Sequence, residues 1–267
     1  MTDEPAATWE GCEAEALAER WGAPAVHLFR RVGSTNDVAR GLAAAGCEPG
    51  TVVIAEEQVA GRGRAGRVWS SPSGLGLWFS VVVTPLDAAS TAVLPLRVGL
   101  AVAQALDHFL PGETVGIKWP NDLGVAGRKL GGILCEAAWE GTVLRALVAG
   151  VGLNVLHAEG DFPPELRPLA TSLRLAAELP PQRLDVADRV IAAVVATARL
   201  PEPLDVAGLA RRDQLRGRAI AVADPATRRV IVEGVAAGIL ADGSLQVHGP
   251  SGTRSVRSGT VWLKARG

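Results

Sequence analysis

Short β-rich runs alternate with longer apolar segments of helical spacing through the first 216 residues of the chain. Runs rich in aliphatic and aromatic side chains and bounded by turn residues predict strands at 26–29, 51–55, 77–83, 115–118, 122–125, 130–139 and 143–153. Segments of helical spacing predict helices at 10–21, 35–45, 91–110, 184–199 and 203–215.

The pattern changes after Gly217, where long apolar segments give way to five short β-rich ones. These lie at 219–222, 229–240, 244–248, 253–256 and 260–263, with turn residues between several of them. The spacing predicts a small barrel of about 50 residues. We therefore predict two domains, at 1–216 and 217–267.

Composition indicates an ordinary folded protein, with 48% hydrophobic and 21% charged residues and a net charge of −1. A general nucleic-acid binder usually carries a basic excess, so no DNA partner is expected. Arg97 interrupts the nearest candidate for an apolar run of about 18 residues, so no membrane span is expected. Residues 1–5 are acidic and lead to no apolar segment, so no signal peptide is expected. We therefore expect no membrane association.

Cysteine and histidine usage gives no sign of a metal site. Cys12, Cys47 and Cys135 are odd in number and share no metal-ligand spacing, so we expect free thiols in a reducing cytoplasm. The four histidines form no H-x-x-x-H or H-E-x-x-H pattern, so neither a zinc site nor a histidine-based triad is expected.

The segment 61–69 combines glycine and arginine in a way that indicates anion binding; it reads Gly61-Arg62-Gly63-Arg64-Ala65-Gly66-Arg67-Val68-Trp69. Glycine lets the backbone approach a ligand closely, and guanidinium groups match phosphate and carboxylate oxygens. The pattern predicts a mobile loop that closes over an anionic ligand. The alternative is a solvated surface loop whose arginines make incidental contacts.

Lysine and asparagine are scarce, which draws attention to the few that remain. Of 27 basic residues only Lys118, Lys129 and Lys264 are lysines, and the asparagines are Asn36, Asn121 and Asn154. Where arginine is the usual cation, a retained lysine indicates a place that needs a compact, mobile ammonium group.

Two familiar phosphate-binding motifs do not explain the loop. Gly61-x-Gly63-x-x-Gly66 matches the dinucleotide fingerprint in letters, but that motif requires a helix directly after its last glycine. Pro72, Gly74 and a following β-rich run predict a strand instead. The dipeptide Gly-Lys never occurs in the chain, which excludes a P-loop.

Taken together, these segments resemble the biotin protein ligases, which attach biotin to a lysine of a carrier protein. The matching segments occur in the family's order over about residues 26–264: Ser34-Thr35-Asn36, Gln58, the loop 61–69, Lys118-Trp119-Pro120-Asn121-Asp122, Arg128-Lys129-Leu130-Gly131-Gly132-Ile133-Leu134 and Gly150-Val151-Gly152-Leu153-Asn154. Each is weak alone, but six in order make a specific match.

The resemblance implies an α+β fold, with a mixed sheet flanked by helices as in class II synthetases and a small C-terminal SH3-like β-barrel. It also implies a two-step reaction. Biotin and ATP form biotinoyl-AMP and pyrophosphate with Mg²⁺, and a lysine of a biotin carboxyl carrier protein then displaces AMP. The oligomeric state, monomer or homodimer, is left open.

The resemblance assigns the biotin-binding residues to several separate segments. They are Ser34, Thr35, Asn36, Gln58, Gly61, Arg62, Gly63, Arg64, Trp69, Lys129, Gly131 and Gly132. For Ser34 and Thr35 the ordinary interpretation is a helix N-cap, which is compatible with presenting hydroxyl and N–H groups to the ureido ring. For Gly131 and Gly132 the ordinary interpretation is a β-bulge.

The resemblance also assigns ATP binding to Arg64, Arg67, Trp69, Asn121, Lys129 and Asn154, and catalysis to Lys129, Arg64, Arg67 and Asp122. Asn121 and Asn154 are interpreted as contacts to nucleotide or metal, although Asn154 is equally a candidate turn residue. Asp122 is expected to position or help deprotonate the acceptor amine, or to make a structural hydrogen bond. No protein ligand for Mg²⁺ is assigned beyond the ATP phosphates.

Three other interpretations remain. Lipoate and octanoate ligases share the reaction logic but carry an Arg-Arg-x-Ser-Gly-Gly-Gly type of segment that this chain lacks. A non-catalytic binding module would use the loop without chemistry. Some biotin protein ligases also repress transcription through an N-terminal helix-turn-helix domain, and about 25 residues before the first strand are too few for one. The expectation is a ligase without repressor function.

Overall fold

An eight-stranded mixed sheet is the main element of a computed structural model, which describes residues 3–83, 87–141, 143–200 and 202–264. The strands up to Asn154 are β1 (Glu4–Pro5), β2 (Thr8–Trp9), β3 (Cys12–Glu13), β4 (Val26–Val32), β5 (Val52–Gln58), β6 (Gly76–Val82), β7 (Gly116–Lys118), β8 (Asp122–Val125), β9 (Arg128–Glu140) and β10 (Val143–Asn154). Strands β2 and β3 form a separate small hairpin, and the other eight form the main sheet. The order across the sheet is β1-β4-β5-β6-β10-β9-β8-β7. Strands β4 and β5 pair in parallel, and the other described pairs are antiparallel.

Helices cover both faces of this sheet because its central strands are apolar on both sides. The described helices are α1 (Ala14–Trp21), α2 (Thr35–Ala44), α3 (Ala88–Leu106), α4 (Leu173–Ala176), α5 (Arg183–Arg199) and α6 (Val206–Arg212). Val53 packs with Ala39 of α2, whereas its neighbours Val52 and Ile54 belong to the larger core with α3 and α5. Alternate side chains of a strand point to opposite faces, which explains the division. The predicted α+β fold is therefore confirmed.

Helix α3, which is strongly apolar, is part of this core. The stretch Ala88–Phe109 is long and apolar enough to cross a membrane by length and composition alone. Its side chains nevertheless pack against α5 and the sheet, and Leu94, Val98 and Val102 are fully buried. Arg97 is also buried and donates a hydrogen bond to the Leu200 carbonyl at 2.6 Å. These contacts are those of a core helix.

Several element boundaries differ from the predicted ones. The helix predicted at 10–21 begins at Ala14, because Glu10 and Gly11 form the turn of the β2–β3 hairpin with positive φ. The helix predicted at 203–215 begins only at Val206, where the Asp205 carboxylate accepts a hydrogen bond from the Gly208 N–H at 2.8 Å. The short elements β1 and α4 were not predicted, since two to four residues carry no periodic signal.

The C-terminal segment forms a separate five-stranded antiparallel sheet, as expected for an SH3-like domain. Its strands are β11 (Ala219–Ala223), β12 (Val230–Ile239), β13 (Leu245–Gly249), β14 (Gly252–Val256) and β15 (Thr260–Leu263), in the order β14-β13-β12-β11-β15. The buried Trp119 of the β7–β8 turn donates its Nε1–H to the Gly243 carbonyl at 2.9 Å and so joins the two sheets. The domain boundary at 216 stays a prediction.

Candidate active site

The loop 61–69 forms a narrow hairpin at the end of β5. Its base is closed by hydrogen bonds from Trp69 N to Gly61 O (2.9 Å) and from Gly63 N to Arg67 O (2.7 Å). A Cβ at Gly61 would lie 2.4 Å from the Trp69 carbonyl oxygen, so only glycine fits there. Ala65 and Gly66 turn the chain with φ of 55° and 71°. Strand β6 follows the loop, which agrees with the rejection of a dinucleotide fingerprint.

Lys129 lies beside the loop at the start of β9 and is held from several sides. Its Nζ donates to Asp122 Oδ1 at 2.6 Å and lies 5.2 Å from the ring centre of Trp69. Its backbone is fixed by a hydrogen bond to the Leu169 carbonyl at 2.7 Å and another from the Thr171 N–H at 2.8 Å. Three of the predicted site residues therefore meet at one point.

Two further cations face this point. Burial lowers the pKa of Lys118, and the nearby positive charges of Lys129 and Arg67 lower it further, although the Asp122 carboxylate opposes the shift. Burial likewise lowers the pKa of Arg64. Partly buried cations with one carboxylate among them favour an anionic ligand. Sequence reasoning quoted the motif that contains Lys118 without giving this residue a role, although the scarcity of lysine was a usable signal.

The loop arginines also reach the C-terminal sheet. Arg67 Nη2 donates to Thr260 Oγ1 at 3.0 Å, and Arg64 Nη1 lies 3.4 Å from the Gly259 carbonyl oxygen in a longer hydrogen bond. The Arg64 and Arg67 side chains thus lie between the second sheet and the cluster formed by Lys129, Asp122 and Lys118 (the Lys129 group). The segment around Gly259 and Thr260 borders the two arginines.

A polar network surrounds the start of α2. Gln58 Oε1 accepts from the Thr35 N–H at 2.9 Å and from Thr35 Oγ1 at 3.1 Å, while Gln58 Nε2 donates to Ser71 Oγ at 2.8 Å. Ser80 Oγ lies 2.8 Å from Thr35 Oγ1. Ser34 occupies the N-cap position, but its side chain makes no capping hydrogen bond. The N-cap interpretation is therefore correct for the position of Ser34 and wrong for its side chain, and the first helical N–H group donates to Gln58 instead.

Arg62 and Asn36 lie apart from the Lys129 group. Both guanidinium Nη atoms of Arg62 bind Asp37, at 2.6 and 2.8 Å, and Nη2 also reaches Glu136 Oε2 at 3.1 Å. Asn36 Nδ2 donates to Glu136 Oε2 at 2.7 Å and to the Leu134 carbonyl at 3.2 Å. Both predicted biotin-binding side chains are thus occupied by protein partners.

Adjacent strands supply the predicted glycines and asparagines. Gly132 and Gly131 pair with Asp122 and Leu123 of β8, and the register then shifts between Leu123 and Gly124. Leu130 is left without a partner on β8, so the irregularity predicted for these glycines lies next to Gly131 and not at Gly132. Gly131 has no room for a Cβ, which would lie 2.5 Å from Leu153 Cδ2, whereas a Cβ at Gly132 would meet nothing closer than 3.6 Å, from Asp122 Oδ1.

The two asparagines use their amide nitrogens within the protein. Asn121 Nδ2 donates to the Ile133 carbonyl at 2.6 Å, and Asn154 Nδ2 donates to the Thr171 carbonyl at 3.0 Å. Their Oδ1 atoms are then the groups left for a ligand. Asn154 ends β10, so the interpretation as a strand-ending residue is compatible with its position.

Trp69 packs over β10 and closes one side of the site. A Cβ at Gly152 would lie 2.6 Å from Trp69 Nε1, so the indole ring needs the glycine beneath it. The ring also meets Trp78 edge-on, with centroids 6.3 Å apart. This is an apolar wall next to a cationic centre, as a ligand with an aliphatic chain and an anionic end would require.

A cavity of about 160 Å³ continues from the cations between α3, β9 and the C-terminal sheet. Its lining includes Arg64, Trp119, Asn121, Ile133, Leu134 and Gly243. The described residues contain no group of three His, Cys, Asp or Glu side chains that could hold a metal ion.

Comparison with known proteins finds a matching family and several relatives. The biotin/lipoate A/B protein ligase family matches residues 28–154. The biotin–[acetyl-CoA-carboxylase] ligase of Paracoccus denitrificans is 31% identical over 241 residues, which cover 88% of this chain and 99% of that protein. The bifunctional ligase/repressor BirA of Bacillus subtilis is 41% identical over 145 residues, 54% of this chain but 44% of that protein. The match thus spans less than half the length of such relatives.

Solved structures show the same fold. Biotin protein ligase from Aquifex aeolicus in complex with biotin and ATP superposes with a TM-score of 0.73 at 24% identity, covering 90% of this chain and 99% of that one. The Leishmania major ligase in complex with biotinyl-5-AMP gives a TM-score of 0.59 at 27% identity, covering 87% and 98%. Because the Paracoccus relative is matched over nearly its whole length, this chain belongs to the biotin/lipoate A/B protein ligase family.

Proposed function

We propose that this chain is a biotin protein ligase, which activates biotin with ATP and transfers it to a lysine of a biotin carboxyl carrier protein. The observation that carries the proposal is the group of Lys129, Asp122, Arg64 and Lys118 beside the Trp69 wall. It combines an anion-binding centre with an apolar surface. The name of the Paracoccus relative and the biotinyl-5-AMP held by the Leishmania ligase support the same substrates.

In the first step an oxygen of the biotin carboxylate attacks the α-phosphorus of ATP, and the bond to pyrophosphate breaks. Negative charge grows on the α-phosphate oxygens and on the leaving group, so fixed cations lower the barrier. We assign this role to Lys129, Arg64 and Arg67. Asp122 holds the Lys129 ammonium at 2.6 Å and so restricts its position.

Mg²⁺ fits the donor set of the site. The Asn121 and Asn154 side chains use their amide nitrogens within the protein, which leaves their Oδ1 oxygens and those of Asp122 as hard ligands. Together with phosphate oxygens these would hold the ion. When bound, Mg²⁺ neutralises phosphate charge and favours departure of pyrophosphate.

Biotin recognition is assigned to the start of α2 and its surroundings. The hydroxyl groups of Ser34 and Thr35 and the amide of Gln58 are buried or partly buried polar groups, as expected for binding a ureido ring. The loop 61–69 would then cover the valeryl chain with Trp69. Covering the mixed anhydride also excludes water, which protects biotinoyl-AMP from hydrolysis.

In the second step the carrier lysine Nζ attacks the carbonyl carbon of biotinoyl-AMP, an amide forms, and AMP leaves. The amine, with an ordinary pKa near 10.4, must first lose a proton. Asp122 is the carboxylate at the site, and we assign it to positioning or deprotonating this amine. Asp122→Asn keeps an oxygen that can accept from Lys129 and bind Mg²⁺ but cannot take up a proton, so it is expected to form adenylate at a rate within about threefold of wild type and to transfer biotin about 10²-fold more slowly. Single-turnover assays separate the steps, and equal loss in both would contradict the role.

The test of the proposed function is ATP–pyrophosphate exchange with purified protein and Mg²⁺, run with biotin, lipoate, octanoate or no added acid. Exchange with biotin alone is expected. Exchange with lipoate or octanoate instead would identify a ligase of the neighbouring class, and no exchange with any acid would leave a binding module without chemistry. A carrier domain with its acceptor lysine, and the same domain with that lysine replaced by arginine, then test the transfer.

The net charge of −1 supports a carrier protein rather than DNA as the macromolecular partner. A gel-shift assay with operator DNA in the presence of biotin and ATP tests this choice. No shift is expected at protein concentrations that saturate biotinylation, and a specific shift would add a repressor function.

A further inference from the structure

Arg62 behaves unlike the other two arginines of the loop 61–69. Arg64 and Arg67 face the Lys129 group and the C-terminal sheet, whereas Arg62 points to α2 and β9. Its guanidinium meets Asp37 in a two-point ion pair at 2.6 and 2.8 Å and Glu136 Oε2 at 3.1 Å. Two carboxylates therefore already occupy a side chain that was predicted to bind biotin.

The two carboxylates belong to secondary-structure elements outside the loop. Asp37 lies in the first turn of α2, and Arg62 lowers the pKa of its carboxyl group. Glu136 lies on β9 in register with Val148 of β10. Arg62 thus connects the loop to a helix and to the centre of the main sheet at once.

The Glu136 carboxylate is itself held by the buried side-chain amide of Asn36. Asn36 is 3% exposed and donates to Glu136 Oε2 at 2.7 Å, while its Oδ1 accepts from Ser80 Oγ at 2.6 Å. Gly150 leaves the room for it, since a Cβ there would lie 2.2 Å from Asn36 Oδ1. A buried and fully paired amide has one stable orientation, so Glu136 presents a fixed acceptor to the loop.

Arg62 is also placed where an anchor has the greatest effect. It forms a bridge with Val68 across the base of the hairpin, while the tip between them is exposed. On the opposite side of the loop, Arg67 and Arg64 make one hydrogen bond each to neutral groups, at 3.0 and 3.4 Å. Two-point charged hydrogen bonds are stronger than single neutral ones.

We propose that Arg62 is a positioning residue: held by Asp37 and Glu136, it anchors the loop 61–69 so that Arg64, Arg67 and Trp69 stay over the reaction centre. The inference deepens the proposed function and relies on it only for the effect on biotinoyl-AMP. Arg62 then serves the ligand through the loop and makes no direct side-chain contact with biotin.

The first test needs no ligand. Hydrogen exchange at the Gly63 and Trp69 amides, both hydrogen-bonded within the loop, is measured by NMR in wild type, Arg62→Gln, Glu136→Gln and the double variant. We expect exchange about tenfold faster in each single variant and no further increase in the double variant, because both remove the same anchor. Unchanged exchange in Arg62→Gln would overturn the proposal. Faster exchange in Glu136→Gln alone would not rescue it, because that substitution can also disturb the buried Asn36.

A matched control comes from the same carboxylate. Arg40 Nη2 also binds Asp37 Oδ1 at 2.6 Å but lies on α2, and within the described part of the chain it makes no hydrogen bond to the loop. Arg40→Gln should leave exchange at Gly63 and Trp69 unchanged. An effect as large as that of Arg62→Gln would show that the helix, and not the anchor, controls the loop.

The second test follows biotinoyl-AMP. Arg62→Gln is expected to release the adenylate about tenfold faster and, because Arg64 and Arg67 are then held less firmly, to slow adenylation as well; Arg62→Lys should restore part of the retention. A raised KM for biotin with unchanged adenylate release and unchanged loop exchange would instead make Arg62 a direct ligand contact. If wild type shows no pyrophosphate exchange with biotin, the proposed function fails, and the unliganded exchange experiment still decides the role of Arg62.

Discussion

At the scale of single residues, the chemistry of this chain depends on how a few charges are paired. Lys129 has one carboxylate partner, Asp122, and an aromatic face, so its ammonium remains available to anionic oxygens. Arg62 has two carboxylate partners and serves the loop. Residues of the same charge in one motif thus take different tasks according to what lies opposite them.

The residue-scale prediction concerns Lys129. Lys129→Gln should reduce the rate of adenylation by about 10²- to 10³-fold, because a positive charge on the developing phosphate oxygens is lost. Quenched-flow formation of biotinoyl-AMP measures it. Lys264→Gln is the matched control, since Lys264 pairs with Glu233 on the C-terminal sheet and should leave the rate unchanged. Adenylation within threefold of wild type in Lys129→Gln would remove Lys129 from the catalytic group.

At the scale of elements, β9 carries two adjacent glycines for two different reasons. Gly131 faces Leu153 and the Gly152 carbonyl across β10, so packing alone requires it. Gly132 faces Asp122 and Lys129 at ordinary contact distances, so the protein would tolerate a methyl group there. The sequence shows two identical adjacent residues, and only the pairing of β9 with β8 and β10 shows that their surroundings differ.

This difference predicts opposite phenotypes for two neighbouring substitutions. Gly131→Ala should destabilise the fold by about 2 kcal/mol through overpacking. Gly132→Ala should keep the melting temperature within about 2 °C and raise the KM for biotin, because its methyl group enters the ligand space. Thermal denaturation and steady-state kinetics on both variants measure these effects. Equal losses of stability would show that both glycines are packing residues.

Element prediction from the sequence succeeded where the signal is local and periodic. The strands around β5, β6, β9 and β10 and the helices α2, α3 and α5 were predicted at nearly their observed positions. The helix predicted at 10–21 was partly wrong, because a two-residue turn at Glu10 and Gly11 interrupts an otherwise helical composition. Such turns depend on pairing with a neighbouring strand, which composition does not record.

At the scale of the whole molecule, two sheets share the site. Arg67 donates a hydrogen bond to Thr260, and Trp119 donates one to the Gly243 carbonyl, so the loop and the β7–β8 turn both contact the C-terminal sheet. The C-terminal sheet therefore contributes to the position of Arg67 and of the β7–β8 turn.

Trp119→Phe tests this coupling. Loss of the buried hydrogen bond to the Gly243 carbonyl and of part of the ring volume should cost about 2 kcal/mol of unfolding free energy. Trp139→Phe is the control, since Trp139 is 47% exposed and should change stability by less than about 0.5 kcal/mol. Urea denaturation measures both, and equal values would show that Trp119 does not stabilise the junction.

Acid should destabilise the molecule partly through His157. This residue is 3% exposed, stacks on Phe162, and has its pKa lowered by burial below the ordinary value of 6.5. Below pH 6.5 the unfolded chain binds a proton that the folded one resists, so stability is lost as pH falls towards the lowered pKa.

The measurement is the free energy of unfolding at pH 7 and pH 5. His157→Gln should lose less stability over this interval than wild type, because the substituted residue does not titrate. His108→Gln serves as the control, since His108 is exposed. If His157→Gln loses as much free energy of unfolding between pH 7 and pH 5 as wild type does, the assignment of this pH dependence to His157 is contradicted.

The sequence by itself determined the order of most elements, the family resemblance and the residue types at the site, because periodicity, glycine requirements and scarce lysines are properties of local sequence. Only the tertiary structure decided which of these residues meet. It brought Lys129, Asp122 and Trp69 together from three segments, gave the first N–H of α2 to Gln58, and turned Arg62 away from the other arginines. Side-chain partners depend on strand register and on charges distant in sequence, and no local pattern records either.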